Sequence, residues 1–160
     1  RNFARATMRR LRAEILLDVI SQVTETKNKF PGLPRGAKAV QIANGKVNNY
    51  FLTTFGRAKR ESVCSCEVVM EPSLSQALHL LNGETTNKRI TQGKVISKFL
   101  TEGQSAEEII RWLYRRCYSR NPTPDELSNL AQTITSGDEE KGLIDIFWAL
   151  LNSKEFIFNH

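Results

Sequence analysis

The run Glu71-Pro72-Ser73-Leu74-Ser75-Gln76-Ala77-Leu78-His79-Leu80-Leu81-Asn82-Gly83 carries the start, the face and the stop of a helix in one stretch. Ser73 and Gln76 have the spacing of a capping box, in which hydroxyl and amide each satisfy an orphan backbone donor. Leu74, Ala77, Leu78 and Leu81 recur at helical spacing and predict the face that packs. Asn82-Gly83 tolerates positive φ and ends the helix. Comparable start signals recur at Ser105 with Glu108, and at Thr123-Pro124-Asp125-Glu126, where proline takes the first helical position. A chain punctuated in this way is built mainly from short helices.

The rest of the chain follows the same grammar with one exception. Residues 3–24 read as a long amphipathic helix. Met8, Leu11, Ile15, Val19 and Val23 make its stripe, widened by Leu16 and Ile20. Arg1, Arg5, Arg9 and Arg12 form a neighbouring cationic stripe. Pro31-Gly32 and Pro34-Arg35-Gly36 mark a loop. Ala37 to Ala43 predicts a short strand ended by Asn44-Gly45. Tyr50, Phe51, Leu52 and Phe55 cluster before Gly56, as a short helix or a second extended piece. Residues 62–70 alternate, which puts Cys64, Cys66, Val68 and Met70 on one side of a strand. Beyond Gly83 the pattern is helical. One helix carries Ile90 to Leu100 with a break at Gly93 and a stop at Gly103. Another starts at Ser105, a third at Thr123, and the last runs from about Glu139 to Asn152.

At 160 residues the chain fits one domain with a real core. No apolar run approaches the roughly 20 residues of a membrane span, and no signal-peptide pattern opens it. The chain begins on Arg1 within a helical pattern and ends on His160 after an aromatic cluster. That reads as the C-terminal piece of a longer, multidomain protein. The net charge of +6 is uneven: residues 1–60 hold 13 Lys/Arg and 3 Asp/Glu, residues 61–160 hold 10 and 14. A basic half binds an anionic partner or docks on its own acidic half, and the tethered option is cheaper.

Several blocks together resemble one family. They are Met8-Arg9-Arg10-Leu11-Arg12-Ala13-Glu14 with Asp18, Tyr50-Phe51-Leu52 with Phe55-Gly56-Arg57, and Arg60 with Cys64-Ser65-Cys66-Glu67. To these add the 71–83 helix, Leu113-Tyr114, Ser119-Arg120-Asn121-Pro122-Thr123, and Ala149-Leu150-Leu151-Asn152-Ser153-Lys154-Glu155-Phe156. They resemble the C-terminal part of a planctomycete domain family of unknown function. Such domains sit in large exported proteins that often carry a planctomycete-type cytochrome c domain. The resemblance implies an extracytoplasmic setting and a haem elsewhere in the parent chain. No Cys-x-x-Cys-His motif occurs in these 160 residues, so any haem belongs to another segment and no cofactor is expected here. Two positions depart from the family pattern: Val68 follows the Cys-x-Cys-Glu unit where an Arg is usual, and Cys117 replaces an ordinary apolar residue.

Cys64 and Cys66, with Cys117 as the third thiol, are the sharpest chemical feature. Three outcomes stay open. Either cysteine of the pair bridges to Cys117; the pair holds a metal with His79 or Glu67, although Cys-x-Cys is not the usual zinc spacing; or all three are free thiols acting as small hydrophobes. The Arg1, Arg5, Arg9, Arg12 stripe suits an anion or a domain contact. It lacks the base-stacking aromatics that nucleic-acid binding wants. Trp112, Tyr114, Trp148, Phe156 and Phe158 fit a core better than a sugar-binding surface. There is no Gly-rich phosphate loop and no nucleophile elbow around Ser73 or Ser75.

The expected fold is therefore a mainly α, compact bundle of about five to seven helices with a small extended or β portion between residues 37 and 70. The leading functional expectation is a non-catalytic structural or interaction module whose partners are other domains of its parent chain. An accessory domain of an enzyme or redox system, with a thiol or metal site at Cys64 and Cys66, is one alternative. A basic module for an anionic partner is the other.

Overall fold

The computed structural model describes residues 8–43, 45, 47–59, 61, 68–71, 73–82, 84–134 and 138–159. Its helices are α1 (Ala13–Val23), α2 (Tyr50–Thr54), α3 (Leu74–Asn82), α4 (Glu84–Gly93), α5 (Val95–Thr101), α6 (Ala106–Tyr118), α7 (Pro124–Ile134), α8 (Glu139–Leu151) and α9 (Lys154–Ile157). A 3₁₀ turn spans Ala39–Gln41. Two short strands, β1 (Arg9–Arg10) and β2 (Phe158–Asn159), pair antiparallel with Arg9 opposite Asn159. Among the described residues, seven helices have seven residues or more. The protein is mainly α, as the punctuation predicts.

The helix starts signalled at Ser73, Ser105 and Thr123 sit where the sequence puts them. Ser105 Oγ accepts the Glu108 N–H, and a Glu108 oxygen accepts the Ser105 N–H at 2.9 Å. Thr123 and Glu126 exchange the same pair of bonds. Ser73 caps α3 by accepting the Gln76 N–H at 3.3 Å. The Gln76 amide does not return the bond; it donates to the Thr54 carbonyl at 3.1 Å and ties α3 to α2. Lys94 in the left-handed region (φ 51°) separates α4 from α5, and Gly103 (φ 78°) follows α5.

The centre of the core lies between α6 and α8, where Ile109, Ile110, Leu113, Leu143, Phe147 and Leu151 are fully buried. Helices α4, α5 and α7 also pack on α8. α1 lies against the 3₁₀ turn, α2 and α4, rather than chiefly against the C-terminal helices. The end of the chain reaches the beginning through β1–β2 and through the Leu11 N–H, which donates to the Ile157 carbonyl at 2.9 Å.

That pairing corrects the long first helix. Arg9–Arg10 is extended and Arg12 is too (ψ 151°), so the helix begins at Ala13 and the described arginines form no helical stripe. The buried face of α1 is Ala13, Leu16, Leu17, Ile20 and Val23, while Met8 and Ile15 are exposed. The strand expected over Ala37–Ala43 is the 3₁₀ turn instead. The Asp18 carboxylate accepts the Ala39 N–H (2.6 Å) and the Val40 N–H (3.2 Å), so donors that a sheet ladder would use are already taken. Among the described residues of 37–70 there is no strand, only extended and turn backbone around α2. Residues 62–67, six of the nine residues of the alternating run, lie outside the described residues.

Two close approaches hold the loops on the helices. Gly56 (φ 74°) lets Val69 pack against its Cα; a Cβ there would stand 2.8 Å from the Val69 Cβ. Gly93 closes α4 directly against the Thr24 carbonyl, and a Cβ would drive into that oxygen. Ordinary helix propensity predicts that Gly93→Ala stabilises by about 1 kcal/mol. The packing predicts the opposite sign, a loss of roughly 1–3 kcal/mol, measurable by urea unfolding of the two proteins.

Candidate functional site

The feature best suited to hold something is an open cleft of about 740 Å³ between α2, α3 and α4, with Leu17 of α1 at its base. Its volume lies in the range of small-ligand sites. Asn49, Tyr50 and Phe51 form one wall, Ser75, Leu78 and His79 the next, and Thr85, Lys88, Arg89 and Gln92 the third.

Each wall follows from local sequence. Asn49 caps α2 by accepting the Leu52 N–H at 3.1 Å, which fixes Tyr50 and Phe51 on the first turn. Phe51 stacks on Phe55 with 4.3 Å between centroids. His79 on α3 meets this pair edge-on, at 5.4 Å from Phe51 and 6.0 Å from Phe55, and also touches Tyr50 at 5.2 Å. His79 Nε2 and Thr85 Oγ1 share a hydrogen bond of 3.0 Å, whose donor depends on the imidazole tautomer. Burial lowers the His79 pKa below its ordinary 6.5, so the neutral ring is the favoured form.

α4 has little apolar surface. It is anchored by Ile90, by the fully buried Thr86, whose hydroxyl donates to the Leu80 carbonyl at 3.1 Å, and by Arg89. The Arg89 guanidinium donates to Ser21 Oγ, to Thr26 Oγ1 at 3.2 Å and to Asn28 Oδ1 at 2.7 Å. Asn28 in turn donates to Asp18 at 3.2 Å. Burial lowers the Arg89 pKa and the charge of Asp18 opposes that shift.

Other arginines act as ties. Arg10 is buried, lies over the Phe55 ring at 5.3 Å, and donates to the Phe55 and Val69 carbonyls at 2.9 and 3.0 Å; its Nε is buried with no hydrogen-bond partner among the described residues. Arg57 joins Glu14 at 3.2 Å and the Ile42 carbonyl at 3.0 Å. Arg120 grips two carboxylates, Glu126 (both contacts 2.8 Å) and Glu155 (2.6 and 2.9 Å), and faces Tyr114 and Tyr118. This clamp holds the Glu126 carboxyl down at about 2.

The residues singled out from the sequence are dispersed. Cys64, Cys66, Glu67, Arg1 and Arg5 lie outside the described residues. Arg9 and Arg12 are exposed, on β1 and just before α1. Cys117 is a free thiol on α6, and burial pushes its pKa up to about 12, the signature of an unreactive thiol. His79 faces the α2 aromatics. Among the described residues no group of three His, Cys, Asp or Glu is arranged to hold a metal ion. Tyr114 and Phe156 are buried, and Trp112, Trp148 and Phe158 pack against the core, which bears out the core reading of the aromatics. Sequence reasoning missed Thr85, Lys88 and Arg89. The signal was there: the run Glu84–Gly93 has Ile90 as its one large apolar residue, so such a helix must dock through polar groups.

The architecture is thus a mainly helical module whose loops are fastened by buried guanidinium groups and a capped polar cluster. The chain belongs to the PSD1 family, a protein of unknown function (DUF1553), whose family model matches residues 1–134. No curated protein and no solved structure matches it. No described helix is long and apolar enough to cross a membrane.

The His79 pKa also sets a pH dependence. Because the folded value lies below the unfolded one, the unfolded chain binds the extra proton first as pH falls. Stability is full above about 6.5 and declines as pH drops toward and through the lowered folded value. Melting temperatures from pH 8 to 5 should show this limb, and His79→Phe should flatten it.

Proposed function

We propose that this chain is a non-catalytic interaction module of an exported, multidomain, cytochrome-associated protein, and that its partner is another domain of the same parent. The observation that carries the reading is the orientation of α3. Leu74 and Leu78, chosen from the sequence as packing positions, are 76 % and 49 % exposed, and Tyr50 beside them is 71 % exposed. Ala77 on the same face is exposed too. Gln76, Leu80 and the half-buried His79 face inward instead. An apolar helix face turned to solvent, with charged and polar residues around it, is the form of a protein contact.

Two further observations fit. The charged groups that sit deepest, Arg10, Arg57 and Arg89, are engaged in holding loops and helices together. The extracytoplasmic setting, the planctomycete source and a haem carried by another segment of the parent rest on the resemblance of the residue blocks quoted above. They remain part of the proposal.

The test compares the 160-residue chain with its full-length parent. Amide exchange over Leu74–Leu78 should be slower in the parent, where the face is covered. Leu74→Glu should abolish that added protection while changing the stability of the isolated chain by less than about 0.5 kcal/mol. Equal exchange in the two proteins would contradict the reading.

A further inference from the structure

We propose that the groove between β1, the start of α1 and the segment Val68–Glu71 is a docking site for an acidic, amphipathic segment of a partner protein. Three distant parts of the sequence build it. The first is the run through β1 into α1, which supplies Met8, Arg9, Arg12 and Ile15. The second is β2, whose pairing with β1 brings Phe158 alongside. The third wall is Met70 with its neighbours, held in place where the Arg10 guanidinium donates to the Val69 carbonyl at 3.0 Å. The concavity they enclose is about 660 Å³.

Its apolar surface is not spent on the core. The chain has two methionines, and both line this groove. Met8 is 59 % exposed, Met70 is half-buried, and Ile15 on the first turn of α1 is exposed. Met8 and Ile15 belong to the stripe that helical periodicity assigns to a packing face, and the structure turns them to solvent. Thioether side chains are unbranched and polarisable, so they adapt to the shape of whatever docks on them. An exposed apolar strip rimmed by charge marks an interaction surface.

Charge chooses the occupant. Arg9 and Arg12 are exposed, and among the described residues neither makes an ion pair. Arg10 spends its terminal N–H groups on carbonyl oxygens and keeps its positive charge. Against these three guanidinium groups stands one lining carboxylate, Glu71. A concave wall of this balance draws carboxylates. The residues that precede Met8 carry Arg1 and Arg5 and no carboxylate, so their charge has the groove's own sign. A bilayer surface would meet the charge and the apolar residues but offers no relief to fill a concavity between walls. A polypeptide segment with glutamates or aspartates beside apolar side chains meets all three. The groove shares no lining residue with the exposed α3 face, so the two contacts stand or fall separately.

The two methionine methyl groups are the natural reporters, isotope-labelled in the 160-residue chain and followed by NMR. The probe is a synthetic peptide of about fourteen residues with leucine at helical spacing and glutamate elsewhere. Its control carries lysine in place of glutamate. The glutamate peptide should shift both methyl signals saturably with a Kd at or below about 1 mM, and the lysine peptide should leave them unmoved. Arg9→Gln combined with Arg12→Gln should weaken the glutamate peptide by about tenfold. Glu71→Gln removes the opposing carboxylate and should tighten it about twofold, a gain that damage to the fold does not imitate. Leu74→Glu, on the α3 face, should leave the affinity within about twofold of its starting value. The assignment is overturned by unmoved methyl signals, by equal binding of the lysine peptide, by affinity indifferent to both the arginine and the Glu71 variants, or by loss of binding in Leu74→Glu. Phosphatidylglycerol vesicles that move both signals where the glutamate peptide does not would overturn it in favour of a membrane surface.

Discussion

The carboxylate of Asp18 is the pin on which the N-terminal half depends. It sits on α1 and accepts the backbone N–H groups of Ala39 and Val40 and a side-chain N–H of Asn28. These three bonds fasten the loop that follows α1 back onto it. Asn28 passes the interaction on: its oxygen receives Ser21 and Arg89, so α4 is joined to α1 across more than sixty residues of sequence. The cleft has α4 as one wall. Its geometry therefore rests on a partly buried polar chain as well as on apolar packing. Such chains are costly when half satisfied and directive when complete.

The same device recurs elsewhere with different parts. Arg10 joins β1 to the end of α2 and to the segment at Val69, and Arg57 joins that end to α1 and to Ile42. Arg120 joins the start of α7 to α9. Removing one member of the Arg10 or Arg57 sets leaves buried carbonyls or a carboxylate without a donor, which is where single substitutions become severe. The Arg120 clamp is more exposed and individually weaker, although its bidentate geometry on both carboxylates favours it over an ordinary surface pair. Many of these tying residues fall within the blocks that carry the family resemblance: Arg10, Glu14, Asp18, Phe55-Gly56-Arg57, Arg120 and Glu155. A fold-maintaining role is a sufficient account of their presence.

Local rules read the helical half well because its signals are local. Ser105 with Glu108, Thr123 with Pro124, and the Gly93 break are decided within a turn of the chain, and the structure agrees with each. What failed was long-range. The start of the first helix is replaced by pairing with Phe158–Asn159, residues that no window around Arg9 contains. The predicted strand at Ala37–Ala43 loses its donors to Asp18, twenty-one residues earlier at Ala39. Leu74 and Leu78 have the periodicity of a core face, yet α3 turns Gln76 and Leu80 inward because Gln76 finds the Thr54 carbonyl and His79 finds the α2 rings. Periodicity identifies an apolar face but not its partner. The cleft was unreadable for the same reason: its walls come from three helices, and of its lining residues only His79 was a candidate ligand in the sequence.

A double-mutant cycle between Asp18 and Arg89 tests the central claim most directly. The stabilities of Asp18→Ala, Arg89→Ala and the double variant, measured by urea unfolding, give the coupling between the two, carried by the shared Asn28 and by the direct attraction of their charges. The account predicts a coupling energy of roughly 1 kcal/mol or more, as expected for members of one hydrogen-bonded network. Additive losses, with coupling near zero, would show that the loop and α4 are held independently and that the polar chain does not shape the cleft.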